Sequence, residues 1–390
     1  MAIVINGSGT VTGLAVGGLP DGTVDSGTLA TNSVDSAELI DGAVDDSHMA
    51  SISGRKNMVI NGAMQVAQRG TSATGINTDS SATELYRTVD RFLFGGNDAG
   101  VWTMTQDSDS PVGFGSSMKL DCTTAKSSLD AGSYLYVLNR IEAQDLQQLG
   151  YGTSSPQAIT LSFWVKSPKT GTHYAELYHG DSSGSTKRKN SYAYTVSAAN
   201  TWEKKSMTFA GDTGVNAIVN DNGYGLMLMW YLAAGSNLQG GTHTNDNWHN
   251  TEANRTPNQV NCADSTSNNF YLTGVQLELG STATDFEHRS YGEELALCHR
   301  YYQRVGTSGA DYNMNMTGAY ASSGSTFYDN VKFVTTMRAP PTVSIFNTSE
   351  HRLGNPSASH TYIHSMRLES TCGSSGLGYY RYNYTADAEL

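Results

Sequence analysis

Charge is scarce in this sequence. Of its 390 residues only 15% are Asp, Glu, Lys or Arg, against about 25% in an average soluble domain. Positive charge is the scarcer half: 24 Lys plus Arg face 36 Asp plus Glu, a formal net charge of −12. That balance speaks against a nucleic-acid partner, because phosphate backbones are held by clustered Lys and Arg. The one basic cluster, Lys187-Arg188-Lys189, is too short to reverse it and reads as a solvated hairpin tip. No stretch approaches the roughly 18 apolar residues needed to cross a bilayer. Met1 to Gly7 lacks the basic region and apolar core of a secretory signal, so membrane insertion is not expected. Cysteine is limited to Cys122, Cys262, Cys298 and Cys372, with no C-x-x-C spacing. A zinc site and a dense disulfide frame are therefore not suggested. Free, partly buried thiols are expected, and neither a metal nor a cofactor. Proline is rare, at 8, whereas Gly reaches 41 and Tyr 22. The length corresponds to two or three domains.

The chain changes character near residue 55. Before it, aromatics are almost absent and a ten-residue repeat runs three times. Val24, Val34 and Val44 are each followed by Asp, and Leu29, Leu39 and Met49 stand five residues further on. Each unit reads as a short capped helical turn with only two apolar side chains to bury. One copy cannot form a core, so the apolar rows are expected to meet on the axis of a fibre shaft, as a homotrimer. A disordered acidic linker is the alternative, and the strict register of apolar positions argues against it. Asp41, Asp45 and Asp46 lack the ligand order of an EF-hand.

The segment 56–290 is β-rich. Ile159, Leu161, Phe163 and Val165 share one face of an alternating run. Tyr224, Leu226, Leu228, Trp230 and Leu232 form one face of a second run, and Met227, Met229 and Tyr231 the other. Tyr271 to Leu279 is a third, and His173 to His179, Tyr192 to Val196 and Lys205 to Phe209 are shorter. One helix is predicted, Arg140 to Leu149. Short strands between Gly, Ser, Asn and Thr turns give an antiparallel β-sandwich, most simply a jelly roll. Glu293 to Arg304 has a helical pattern and reads as a connector. Residues 305–390 carry further strands, among them Phe327 to Val334, Thr342 to Phe346 and the Tyr-rich run from Gly376 to Tyr384. The predicted organisation is mainly β: a shaft over 1–55, a sandwich over 56–290, a connector over 291–304 and a small C-terminal β domain over 305–390.

Several of these segments resemble one known domain. Asn57-Met58-Val59-Ile60-Asn61-Gly62-Ala63-Met64-Gln65-Val66-Ala67-Gln68-Arg69-Gly70 is similar to the N-L-x-x-N-G-x-F-x-x-x-Q-R-G opening of a domain common in bacteriophage tail-fibre and other virion proteins. Asn139 to Glu142, Thr160 to Ser167, Gly274 to Gly280, Ala283 to Glu287 and Tyr291 to Tyr302 match it in the same order. Together they span about residues 56–304. Val89-Asp90-Arg91-Phe92 departs from the usual A-D-R-W. The decamer array resembles repeats near the N-termini of phage fibres. The resemblance implies a jelly roll like that of carbohydrate-binding modules and a receptor-binding tail fibre. It also implies an N-terminal segment that attaches to other tail proteins, a host-surface polysaccharide as ligand, and a place in the virion after synthesis in the host cytoplasm.

Catalytic signatures are thin: no P-loop, nucleophile elbow or H-E-x-x-H occurs. His243, Asp246 and His249, three apart in a polar loop, and His360 and His364, on one face of a predicted strand, are read as surface residues rather than ligands. The protein is therefore expected not to be an enzyme. Aromatic side chains are the candidate ligand contacts, because sugar rings stack their C–H faces on them. Trp248, in an Asn-rich loop, and Tyr312, Tyr320 and Tyr328, among Gly, Ser and Asn, are the candidate platforms. The expected function is adsorption to a host glycan. A structural virion connector without ligand, a polysaccharide depolymerase and a binding module of a secreted enzyme are the alternatives.

Overall fold

The structure, a computed structural model, describes residues 4–5, 11–12, 55–79, 83–180, 187–214, 217–306 and 315–390. The chain divides into two compact units, Met1–Gly54 and Arg55–Leu390. In the first, strands β1 (Val4–Ile5) and β2 (Val11–Thr12) pair antiparallel. The shaft positions Val24, Leu29, Val34, Leu39, Val44 and Met49 lie outside the described residues, as do Asp41, Asp45, Asp46 and Tyr312.

The second unit is mainly β. Strands are numbered along the chain. A front sheet runs in the order β11 (Arg188–Val196), β10 (Gly171–His179), β13 (Tyr224–Ala234), β8 (Tyr134–Glu142), β5 (Phe92–Asn97) and β4 (Thr83–Tyr86). A back sheet runs β12 (Glu203–Phe209), β9 (Ile159–Lys166), β14 (Asn269–Leu279), β7 (Ser117–Thr124), β6 (Val101–Asp107) and β3 (Ser72–Asn77). Every ladder in both is antiparallel. The chain crosses repeatedly between the sheets, giving a jelly-roll-like sandwich. The alternation in β9 works as its sequence dictates: Ile159, Leu161, Phe163 and Val165 all enter the core. There they meet Leu226, Leu228, Trp230 and Leu232 of β13, with the Phe163 ring edge-on to Trp230 at 5.7 Å.

Two local expectations change. Arg140 to Glu142 is not helical but the end of β8, because Glu142 pairs with Tyr224 and Ile141 is buried. A 3-10 turn follows, Ala143–Leu149, burying Leu146 and Leu149. The second helix, Tyr291–His299, is capped by the Ser290 hydroxyl but stops five residues early. Tyr302–Val305 becomes strand β15, because β21 (Gly376–Asp387) recruits it as a partner.

C-terminal to the sandwich, β15, β21, β16 (Asn315–Ala321) and β18 (Thr342–His351) form one sheet. A second sheet comprises β17 (Thr326–Lys332), β20 (Ser365–Thr371) and β19 (Ser357–Thr361). Tyr380, Tyr382, Tyr384, Leu368 and Met366 are buried in the core they share.

The motif segments converge in space. Asn57 Oδ1 accepts from Leu277 N at 3.1 Å, and Glu294 Oε1 accepts from Asn61 N at 2.6 Å. Arg289 donates to the Val59 carbonyl at 3.2 Å and also to that of Asn57. Gly62 O accepts from Val275 N at 2.9 Å, an approach so close that a Cβ on Gly62 would lie 2.1 Å from Val275 O. These residues therefore close the ends of the sandwich on each other.

The terminal sheets are fixed to the sandwich by buried charge. Arg91 lies under the Tyr301 ring, 3.5 Å from its centroid, and pairs with Glu389. Arg69 lies 3.6 Å from the Tyr302 centroid and reaches Glu389 at 3.3 Å, Asp387 at 3.1 Å and Asp90 at 3.7 Å. Removing one partner of such a pair strands the other away from water and costs about 3–5 kcal/mol, whereas apolar replacement of both is often neutral. Glu389→Ala is thus expected to lower unfolding free energy by about 3–5 kcal/mol in urea titration. The double variant Arg91→Met/Glu389→Leu should recover most of that loss, and equal losses would contradict the account.

Two buried groups set an acid response. Burial lowers the His173 pKa from 6.5 to about 4. Burial raises that of Asp90 from 3.8 to about 6, with Arg69 opposing in part. Between pH 6 and 4 the unfolded chain protonates His173 before the folded chain does, so acid destabilises through His173. Over the same range the folded chain protonates Asp90 first, so acid stabilises through Asp90. The two offset one another. Asp90→Asn removes the second, and the variant should lose up to about 3 kcal/mol more than the wild type between pH 6 and 4. Urea midpoints against pH read this, and parallel profiles would refute it.

Candidate functional site

The side chains of β13 sort onto two faces by parity until a bulge intervenes. Leu226, Leu228 and Trp230 point into the core, and Met227, Met229 and Tyr231 point outward. A register shift between Tyr224 and Leu226 turns Tyr224 to the outward face as well. Neighbouring strands add Tyr134, Tyr136 and Leu138 from β8, Tyr174 and Tyr178 from β10, and Leu93 and Tyr86 from β5 and β4. The front sheet thus carries a second apolar cluster on its outer side.

A cleft of about 410 Å³ opens over this cluster. Tyr134, Tyr136, Tyr178, Tyr231, Met227 and Met229 line it, and Gly132, Asn237, Leu238, Glu252 and Arg255 form the rim. Tyr134 and Tyr136 are parallel, 5.3 Å between centroids and 4° between planes. Gly95, opposite Tyr136 in the ladder, makes room for that ring, since a Cβ there would lie 2.4 Å from it. Tyr136 donates its hydroxyl to Glu84 at 2.6 Å. Arg255 holds buried Glu176 through two nitrogens, at 3.0 and 2.5 Å, and meets Glu252 at 2.8 Å. Ser191 donates to Glu176 at 2.7 Å. Lys189 pairs with Glu252 from the other side.

The protonation states follow from these contacts. Burial, then Glu84, push the Tyr136 hydroxyl well above its ordinary pKa, and burial raises that of Tyr178. Both hydroxyls remain donors at neutral pH. Burial opposes the charge on Glu252, but Arg255 and Lys189 outweigh it and hold the carboxyl below its usual range. The result is a groove with aromatic walls and a rim of fixed donors and acceptors, the composition of a small-molecule site. It suits a ligand with apolar C–H faces and many hydroxyls.

No family model matches the chain, and no curated protein matches it. Among solved structures, the matches include carbohydrate-binding modules and a phage tailspike domain. One is the enzymatically active domain of tailspike protein 4 from bacteriophage CBA120, with 14% identity, 57% of this chain, 21% of that chain and a TM-score of 0.29. The chain thus spans about a fifth of that tailspike structure. Another is a putative sugar-binding protein from Bacteroides thetaiotaomicron, with 13% identity, 57% and 100% coverage and a TM-score of 0.31. A third is a family 11 carbohydrate-binding module from Clostridium thermocellum in complex with a mixed-linked tetrasaccharide, with 10% identity, 55% and 99% coverage and a TM-score of 0.27.

Those residues singled out from the sequence that the structure describes lie elsewhere. Trp248 is half-buried against the core, edge-on to Tyr151 at 5.7 Å and to His179 at 6.4 Å, and donates Nε1–H to Ala210 O at 2.7 Å. Its polar neighbours in sequence hide this packing. Tyr320 on β16 is 79% exposed and Tyr328 on β17 is 53% exposed, the latter under Arg367 at 4.7 Å. The fold brings neither to the cleft. His243 turns to Asn245 and Tyr174, Asp246 accepts from Ala210 N, and the His249 backbone pairs with that of Lys189. Among the described residues no cluster of His, Cys, Asp and Glu is placed to hold a metal. His360 lies in β19, but His364 is in the turn after it, so they share no strand face. The four cysteines are free and buried. The basic cluster is only in part a solvated tip: Arg188 pairs with buried Asp212 at 2.9 Å, and Lys189 is buried. The overlooked signal was Tyr134-x-Tyr136 and Tyr174-x-Glu176-x-Tyr178, aromatics on the face that a one-sided strand gives to water.

Gly95→Ala should displace the Tyr136 ring and destabilise the protein by about 1–3 kcal/mol, the usual cost of overpacking. It should also change the near-ultraviolet circular dichroism of the tyrosines. An unaltered spectrum and midpoint would show that the ring does not depend on that glycine.

Proposed function

We propose that the protein binds a host-surface glycan in the front-sheet cleft, without cleaving it, as part of a bacteriophage tail fibre. The observation that carries the binding reading is the cleft itself: four tyrosines over a methionine floor, rimmed by the Arg255–Glu252 pair. The tail-fibre reading is supported by the ordered motifs over 56–304 and by the decamer array. In it, three chains join along residues 1–55, that segment grips other tail proteins, and the protein resides in the virion. Weak single sites then gain strength through avidity.

Tyr134→Ala and Tyr178→Ala should each weaken binding of host polysaccharide about tenfold in calorimetry, while Tyr320→Ala and Tyr328→Ala leave it unchanged. The reverse pattern would move the site to the C-terminal sheets. The purified protein should block adsorption of virions to host cells and release no reducing ends from the polysaccharide. Failure to compete would remove the tail-fibre reading, and released ends would make the protein a depolymerase.

A further inference from the structure

The chain is acidic, yet the cleft sheet is not. Along its outer side, cations alternate with tyrosines. Arg140 lies 5.6 Å from the Tyr224 centroid, Lys187 5.9 Å and Lys189 5.6 Å from that of Tyr178, and Arg255 5.5 Å from that of Tyr231. Three carboxylates accompany these four cations. Glu84 pairs with Arg140 at 2.8 Å, Glu176 is buried beneath Arg255, and Glu252 is shared by Arg255 and Lys189. Among the described residues, Lys187 is the member of the row with no carboxylate on it. Its own side chain is exposed. On a chain of net charge −12, Lys187 is thus an exposed cation beside the Tyr178 ring. A carboxylate gains more from such an ammonium than a neutral hydroxyl does.

We propose that the cleft takes an acidic polysaccharide, with a sugar-ring carboxylate seated at Lys187, beside the cleft-lining ring of Tyr178. This rests on the cleft being a glycan site. The ammonium supplies a charge-assisted hydrogen bond to the carboxylate, stronger than neutral hydrogen bonds alone. The tyrosine rings leave the C–H faces of the same residue and its neighbours to be stacked. Binding through an exposed charge is screened by salt, so the acidic ligand should be held less tightly as ionic strength rises.

The test uses the full chain in calorimetry against oligosaccharides of polygalacturonate and alginate, their carboxyl-reduced forms, and host polysaccharide before and after carboxyl reduction. The expected result is that an acidic form binds and its reduced form binds at least tenfold more weakly. Lys187→Gln should lose about the same factor, Lys187→Arg should keep the affinity, and raising salt should weaken the wild type more than Lys187→Gln. Lys187 is exposed, and an unchanged melting temperature will show that the variants fold. Equal affinity for reduced and acidic forms, lost in Tyr178→Ala, would overturn the charge assignment and leave the cleft as a neutral-glycan site. No binding of either form of any of these saccharides would overturn both.

Discussion

The second unit depends on one buried cation. Arg91 has its backbone at φ 70°, a left-handed conformation that side-chain-bearing residues seldom adopt. It is fully enclosed, its guanidinium against Tyr301 and Glu389 and one nitrogen donating to the Arg140 carbonyl at 2.6 Å. A charge in such a place is tolerable only while each of those partners is present. They come from β8, from the turn after the helix Tyr291–His299 and from the segment after β21. The same contact therefore joins the front sheet, the connector and the terminal sheets. Arg69, its neighbour over Tyr302, repeats the arrangement with three carboxylates.

The cleft is a product of that rigid frame rather than of any one loop. Its tyrosines stand on three adjacent strands, and their positions are set by ladder register. Tyr136 is level with Gly95 on one side and Tyr231 on the other. Arg255 reaches in from the loop before β14 and is tied down by Glu176, a buried group already bonded to Ser191. Sites on strands with second partners of this kind hold their geometry before a ligand arrives, which lowers the entropy lost on binding.

Much of the sandwich was legible because half-buried strands write their inward face into every second residue. β9, β13 and β14 were read in this way, and so were the turns between strands. Bulges were not legible, and they decided two faces. The shift at Tyr224 moved that ring from the core to the outer face of the sheet, and Gly274, at φ 60°, lets β14 change phase between Thr273 and Gln276. Arg140 to Glu142 went astray because pairing with β13 overrode a helical pattern. The cleft escaped notice because Tyr134, Tyr178 and Tyr231 are more than forty residues apart in the chain and only sheet order makes them neighbours. The packing of Trp248 was illegible for the converse reason, since its ring partners Tyr151 and His179 are distant in sequence. The motif residues Asn57, Asn61 and Gly62 turned out to bond to Leu277, Glu294 and Val275 of the later motif segments.

The Arg91–Glu389 pair spans 298 positions of sequence. Such a contact is nearly as non-local as this chain permits, and closing it requires that the intervening polypeptide has already been made. During synthesis the front sheet would carry an unneutralised guanidinium against Tyr301 until the last strand is in place. Folding of the second unit is accordingly a late, whole-chain event, of the slow kind associated with high contact order. A prematurely terminated chain would expose that charge and the unfilled seat beside it, a mark by which an incomplete chain differs from a finished one.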